Sequence, residues 1–157
     1  MKDISYIINH LGEEREKYFN AITPPLFQTS NFAFSSVAEL KKAIASEKES
    51  YIYSRGNNPT VDILCKKIAA LEETEEALAF ASGMAAISSA VISFVRSGDH
   101  IVSVRNNYSW TNILMTRFLP RFGVETTFVD GTDPGNFENA IRPETKIIYL
   151  ESPNSLT

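Results

Sequence analysis

Glu76-Ala77-Leu78-Ala79-Phe80-Ala81-Ser82-Gly83-Met84-Ala85-Ala86-Ile87 is the stretch on which the fold turns. Ala77 to Ala81 is a short apolar run of strand length. From Met84 to Val95 the apolar residues continue over a length that suits a buried helix. Ser82-Gly83 is then a tight strand-to-helix turn. Such a turn leaves the amides of Gly83 and Met84 free at a helix N-terminus, beside the Ser82 hydroxyl, a ready site for a phosphate. The same residues also satisfy a plain turn with Ser82 as N-cap. No Gly-Lys-Ser/Thr follows, and Gly-x-Gly-x-x-Gly is absent, so this is neither a Walker loop nor a dinucleotide fingerprint.

Downstream, strand-like runs recur at His100 to Val104, Glu125 to Val129 and Lys146 to Glu151. Helical segments separate them at Ser109 to Phe122 and Gly135 to Ile141. Alternation with short turns predicts an α/β fold with a mainly parallel sheet. Ligands of such sheets bind beyond the carboxyl ends of the strands. Ser82, Tyr108 and Glu151-Ser152 fall at those ends. Asp99 and His100 sit at an amino end and are assigned to turn chemistry. The run Ile147 to Glu151 has a central-strand pattern, and the loop after it predicts a domain that continues further.

Upstream the pattern is less regular. Thr23-Pro24-Pro25-Leu26-Phe27-Gln28-Thr29-Ser30 reads as extended. Leu11 to Tyr18 suggests a short helix, and Ser36 to Ser46 a helix capped by Ser35 or Ser36. Glu47 to Asn58 is a polar loop carrying Tyr53 and Arg55, a phenol and a guanidinium suited to a phosphate. Pro59 opens a helix with Val61, Leu64, Cys65, Ile68 and Leu71 on one face. The chain therefore divides into residues 1–58, without steady alternation of elements, and 59–157, the start of an α/β domain.

Composition narrows the partners. A net charge of −4 with no basic run argues against nucleic acid. The single Cys65 excludes an internal disulfide and a multi-cysteine metal site. No apolar run approaches the roughly 18 residues of a membrane span. The first residues lack a signal-peptide pattern, which makes a cytoplasmic location the default expectation.

Taken together, Pro24-Pro25-Leu26-Phe27-Gln28-Thr29-Ser30, Tyr53-Ser54-Arg55-Gly56-Asn57-Asn58-Pro59-Thr60, Leu71-Glu72, Ala81-Ser82-Gly83-Met84-Ala85-Ala86, Ser97-Gly98-Asp99 and Glu151-Ser152-Pro153 resemble, in order and spacing, the Cys/Met-metabolism enzymes dependent on pyridoxal phosphate (PLP). That family includes cystathionine γ-synthase, cystathionine γ-lyase, cystathionine β-lyase and methionine γ-lyase. The resemblance implies the large domain of a fold type I, aminotransferase-like enzyme in a homotetramer built as a dimer of dimers. It implies that Gly83 and Met84, with Ser82, bind the cofactor phosphate. Tyr108 would stack on the pyridine ring and help move protons. Tyr53 and Arg55 would reach across the dimer to the neighbour's phosphate, which accounts for residues 1–58 as an arm that packs on a partner subunit. The substrate implied is a sulfur amino acid such as cystathionine, undergoing β- or γ-elimination or replacement.

The chain departs from the commonest family pattern after Tyr108, where Ser109-Trp110-Thr111 replaces two glycines and a threonine. It departs again after Pro153. There Ser155 stands where an asparagine contacts the cofactor ring, or Asn154 is shifted by one. Ser-Pro-x-Ser-Leu-Thr is similar to cystathionine β-lyase-like members and leans toward β-elimination. None of the lysines matches the family's Schiff-base lysine, which lies beyond the motif at Glu151. Alone, the chain is expected not to catalyse. A truncated chain acting only in binding or assembly stays open, as does another phosphate ligand such as a nucleotide.

Overall fold

The structure, a computed structural model, describes residues 3–154. It divides into two compact units between Ala79 and Phe80.

In the second unit, Ser82 caps helix α4 (Gly83–Phe94) by accepting the Ala85 N–H. The turn through Gly98 leads into strand β1 (His100–Val104). A helical run follows, then β2 (Glu125–Val129), α6 (Pro134–Ala140) and β3 (Thr145–Tyr149). The strands are all parallel in the order β2-β1-β3. β1 pairs with β2 without interruption from His100↔Glu125 to Val104↔Val129. Against β3 the register shifts between His100↔Thr145 and Ile101↔Ile147, so Lys146 is the extra residue.

The central strand is covered on both faces, as a parallel sheet requires. Ile101, Val102 and Ser103 are fully buried. The core joins Ile101 to Val91, Leu114, Met115, Leu119 and Val124, with Met84, Ile87, Phe128, Ile147 and Tyr149 packed around it. Burying a side chain of the size of Ile101 contributes about 2 kcal/mol.

Sequence periodicity predicts one helix from Ser109 to Phe122; the run is continuous but changes gauge. It begins as α5 (Ser109–Ile113), widens to a π turn over Leu114–Phe118 and tightens to 3₁₀ over Leu119–Phe122. Thr116 Oγ1 donates to the Asn112 carbonyl, and Pro120 has no N–H to continue an α ladder. The run ends at Gly123, φ +74°, where a Cβ would lie 2.5 Å from Ser97 Oγ. Only glycine fits that close left-handed turn.

The structure departs from the sequence pattern at two places. Ala77 to Ala81 is not a strand: it pairs with no other described strand, and Leu78 and Phe80 stay exposed. A strand needs a neighbour to satisfy its backbone, and apolar content alone does not supply one. Asp99 does perform turn chemistry, accepting the Arg96 N–H, but His100 does not. Its imidazole is buried, with Nδ1 2.8 Å from Thr145 Oγ1 and Nε2 2.9 Å from Thr127 Oγ1. It bridges all three strands. Burial, then the positive charge of Arg142, lowers its pKa.

The first unit is held differently. Helix α1 (Ile4–Asn9) is followed by a 3₁₀ turn at Arg15–Tyr18, the latter within the segment read as helical. α2 (Val37–Ala45) starts in a variant of the capping box: Ser36 Oγ accepts the Glu39 N–H, and the Glu39 carboxylate accepts the N–H of Ser35, the residue before the cap. α3 (Pro59–Leu71) is capped by Asn58, whose Oδ1 accepts the Thr60 N–H. α1 packs on α3 around the buried Glu13. Its carboxylate receives Lys67 Nζ at 2.6 Å and Arg15 Nη2 at 2.7 Å. Burial by itself raises the Glu13 pKa, but the two cations outweigh it and the net shift is downward. The expected apolar face of α3 is not a core face within this unit: Val61, Leu64, Ile68 and Leu71 are exposed and Cys65 is half-buried. The side that packs centres on Ala69.

Candidate functional site

α4 is a 12-residue helix of about 18 Å. The short turn after it enters β1 at the sheet's amino edge, so α4 begins near the opposite, carboxyl edge. The Met84 side chain packs against the core and fixes that end. Ser82 Oγ takes up the Ala85 N–H, and the Ser82 carbonyl takes up the Ala86 N–H. The Gly83 and Met84 amides have no acceptor among the described residues. Having accepted one hydrogen bond, the Ser82 hydroxyl still has its proton to donate. A Cβ at Gly83 would meet nothing within 4 Å, so the approach to these donors is open. Two amides, a hydroxyl and the positive end of a helix dipole form a donor set that fits a phosphate.

Tyr108 lies where β1 hands over to α5, at the carboxyl edge of the same sheet. It is the N-cap residue of α5, and its side chain is partly exposed. Its backbone N–H donates to Glu151 Oε2 at 3.0 Å. The same oxygen accepts the Tyr149 hydroxyl at 3.1 Å. Burial raises the Tyr149 pKa, opposed by Thr111 and assisted by the Glu151 carboxylate, so the phenol stays protonated and donating. Asn154 Nδ2 donates to the Asn106 carbonyl at 2.6 Å. The segment after β3 thus holds the loop after β1 at two points. The sequence places Glu151 at a strand end within a family motif; that it reaches the Tyr108 amide depends on the parallel pairing of β1 with β3.

Tyr53 and Arg55 belong to the first unit. Tyr53 forms an isolated antiparallel bridge with Asn31, and the Ser54 N–H donates to the Ser30 carbonyl at 2.9 Å. Asn58, itself buried, ties Ser54 Oγ and the Phe27 carbonyl together through Nδ2, both at 2.9 Å. The extended segment read at Pro24 to Ser30 thereby braces the loop. The Arg55 guanidinium lies 4.9 Å from the centre of the Tyr53 ring, a cation–π pair. Both side chains are exposed, and Arg55 has no carboxylate partner among the described residues. Ser155, the remaining site residue expected from the sequence, lies outside the described residues.

The second unit is thus a parallel α/β domain with an open helix start and an anchored tyrosine at one edge of its sheet. The chain belongs to the family of Cys/Met metabolism PLP-dependent enzymes, whose model matches residues 6–157. It is 43% identical over 144 residues to an L-methionine gamma-lyase of Treponema denticola, covering 92% of this chain and 36% of that protein. It is 33% identical over 137 residues to an O-succinylhomoserine sulfhydrylase of Mycobacterium tuberculosis, covering 87% of this chain and 34% of that one. Among solved structures it is similar to a Campylobacter jejuni protein described as an O-acetylhomoserine (thiol)-lyase, with a TM-score of 0.89 and 28% identity. That match covers 99% of this chain and 38% of the other, which carries N'-pyridoxyl-lysine-5'-monophosphate at position 205. The fold is accordingly that of the PLP-dependent fold type I enzymes. The chain spans about a third of the length of the curated relatives it matches. Among the described residues, no helix is long and apolar enough to cross a membrane.

Proposed function

We propose that this chain is the N-terminal portion of a PLP-dependent enzyme that carries out elimination or replacement at the β or γ carbon of a sulfur amino acid. The observation that carries the reading is the start of α4: the amides of Gly83 and Met84, with no acceptor among the described residues, beside the Ser82 hydroxyl and open on the Gly83 side. These groups would hold the cofactor phosphate. Tyr108 would lie against the pyridine ring, and its phenol would hold or pass a proton at its oxygen. When bound, PLP supplies an electron sink for the charge left at the substrate α carbon. Ser155 would contact the cofactor ring.

Tyr53 and Arg55 would serve the phosphate held by a neighbouring subunit of a cytoplasmic homotetramer, with residues 1–58 as the arm that packs on that neighbour and 59–157 as the start of the cofactor domain. Their exposure, and an arginine without a carboxylate, support that role. The identity to an L-methionine gamma-lyase favours γ-elimination, so L-methionine is the first substrate to test; cystathionine and acylated homoserines follow.

Gly83→Asp in the full-length protein tests the phosphate role. A carboxylate at a helix start favours the helix but repels a phosphate. The variant should stay folded and lose PLP retention, with α-keto acid release from L-methionine falling in parallel. A folded Gly83→Asp protein that binds PLP as tightly as the parent would defeat the reading. Arg55→Ala should weaken PLP retention as well; unchanged retention counts against the trans-subunit role.

A further inference from the structure

We infer that Glu151 is a positioning residue for Tyr108, and that the Glu151–Asn154 segment fixes the tyrosine through its backbone. This rests on the proposed role of Tyr108 at the cofactor ring.

α5 has no side-chain cap of its own, because the residue in the N-cap position is Tyr108. A tyrosine there has no short oxygen to return to the first turn. The segment after β3 supplies a different bond at this point: Glu151 Oε2 accepts the N–H of Tyr108 itself, at 3.0 Å, and so fixes the residue on which the helix starts. One carboxylate oxygen can take two donors, and here it takes the Tyr149 hydroxyl as well, at 3.1 Å. Tyr149 packs against the apolar core, so the carboxylate is held by a residue that the sheet itself fixes. Its negative charge also faces the start of the helical run from Ser109 to Phe122, where it is favourable. The bond from Asn154 to the Asn106 carbonyl pins the loop a second time, two residues before Tyr108. The line of support runs from the core through Tyr149 to Glu151, then to the Tyr108 amide. An aromatic ring on an otherwise exposed loop gains a defined placement in this way.

The test uses the full-length protein with Glu151→Ala, Glu151→Gln and Tyr108→Ala. The first readout is cofactor-free: exchange of the Tyr108 amide with solvent in the apoprotein. Losing a charge-assisted hydrogen bond should speed that exchange roughly tenfold to a hundredfold in Glu151→Ala. Glu151→Gln keeps an oxygen that can accept both donors and should restore most of the protection. The second readout is the visible circular dichroism of bound PLP, which reports how the ring is held. It should weaken in Glu151→Ala and recover in Glu151→Gln. Unchanged Tyr108 exchange in Glu151→Ala overturns the inference. So does faster exchange with an unaltered dichroism band, while a changed band in Tyr108→Ala leaves the ring-stacking role intact. An unaltered band in Tyr108→Ala removes the ring-stacking role itself, and the positioning role with it.

Discussion

Residues 80–154 surround β1 with apolar side chains, and Ile101 and Val102 are sealed on both faces of the sheet. Residues 3–79 bury a smaller apolar set, Ile7, Ala43 and Ala69, beside Glu13 and Asn58, and leave the apolar stripe of α3 exposed. The first region is organised by apolar burial, which is additive and tolerant of small shifts. The second is organised by particular polar bonds: Glu13 with Lys67 and Arg15, and Asn58 with Phe27 and Ser54. Polar anchors fix geometry more sharply and fail more abruptly when one partner is lost. The start of α4 stands on the apolar framework, whereas Tyr53 and Arg55 stand on the polar one.

That contrast can be broken by four measurements on the intact protein, most informatively by hydrogen exchange resolved by segment. Ile101→Ala should have the largest effect, about 4 kcal/mol, because it opens a cavity in a strand with no exposed side. Protection should fall across β1, β2 and β3; equal loss at α1 would show that the two regions do not respond separately. Lys67→Met leaves the buried Glu13 carboxylate with Arg15 alone and should cost about 3 kcal/mol. The loss should appear at α1 and α3 with β1 untouched, and a loss confined to β1 would contradict the assignment of forces.

His100 supplies a pH test. Its folded pKa lies below the ordinary 6.5, so the unfolded chain binds the proton more readily. Its contribution to stability is therefore complete above about pH 6.5 and is lost as the pH falls through the lowered value. Exchange in the sheet should accelerate on acidification across that window, and His100→Asn should flatten the response. Persistence of the same slope in the variant would place the titration elsewhere. The smallest effect is expected at Asn58→Ala, about 1.5 kcal/mol for a cap and two cross-loop bonds. It should loosen Phe27 and the Tyr53–Arg55 loop together; a change at α3 alone would reduce Asn58 to a helix cap.

Parts of this were legible in the residues. The strands at His100 and Glu125 and the helices opened by Ser36, Pro59 and Ser82 follow from periodicity and caps, because those signals are local. α1 was not read, since six residues are too few for a helical period to show. The run Ala77 to Ala81 has the apolar content of a strand, yet pairing is a property of two segments and no described neighbour meets it. His100 was assigned to a turn for its position after Ser97-Gly98-Asp99. Its bonds to Thr127 and Thr145 depend on residues 27 and 45 positions away.

The parallel α/β class, the helix start at Ser82-Gly83-Met84 and the family motifs are legible in the residues alone, since each is written in short spacings. Folding in three dimensions is what brings Glu151 to the Tyr108 amide, buries Glu13 between two cations and leaves the stripe on α3 exposed. Each of those depends on which strand lies beside which, or on which face a helix turns inward. Such choices are made by packing over tens of residues, where no local pattern carries the information.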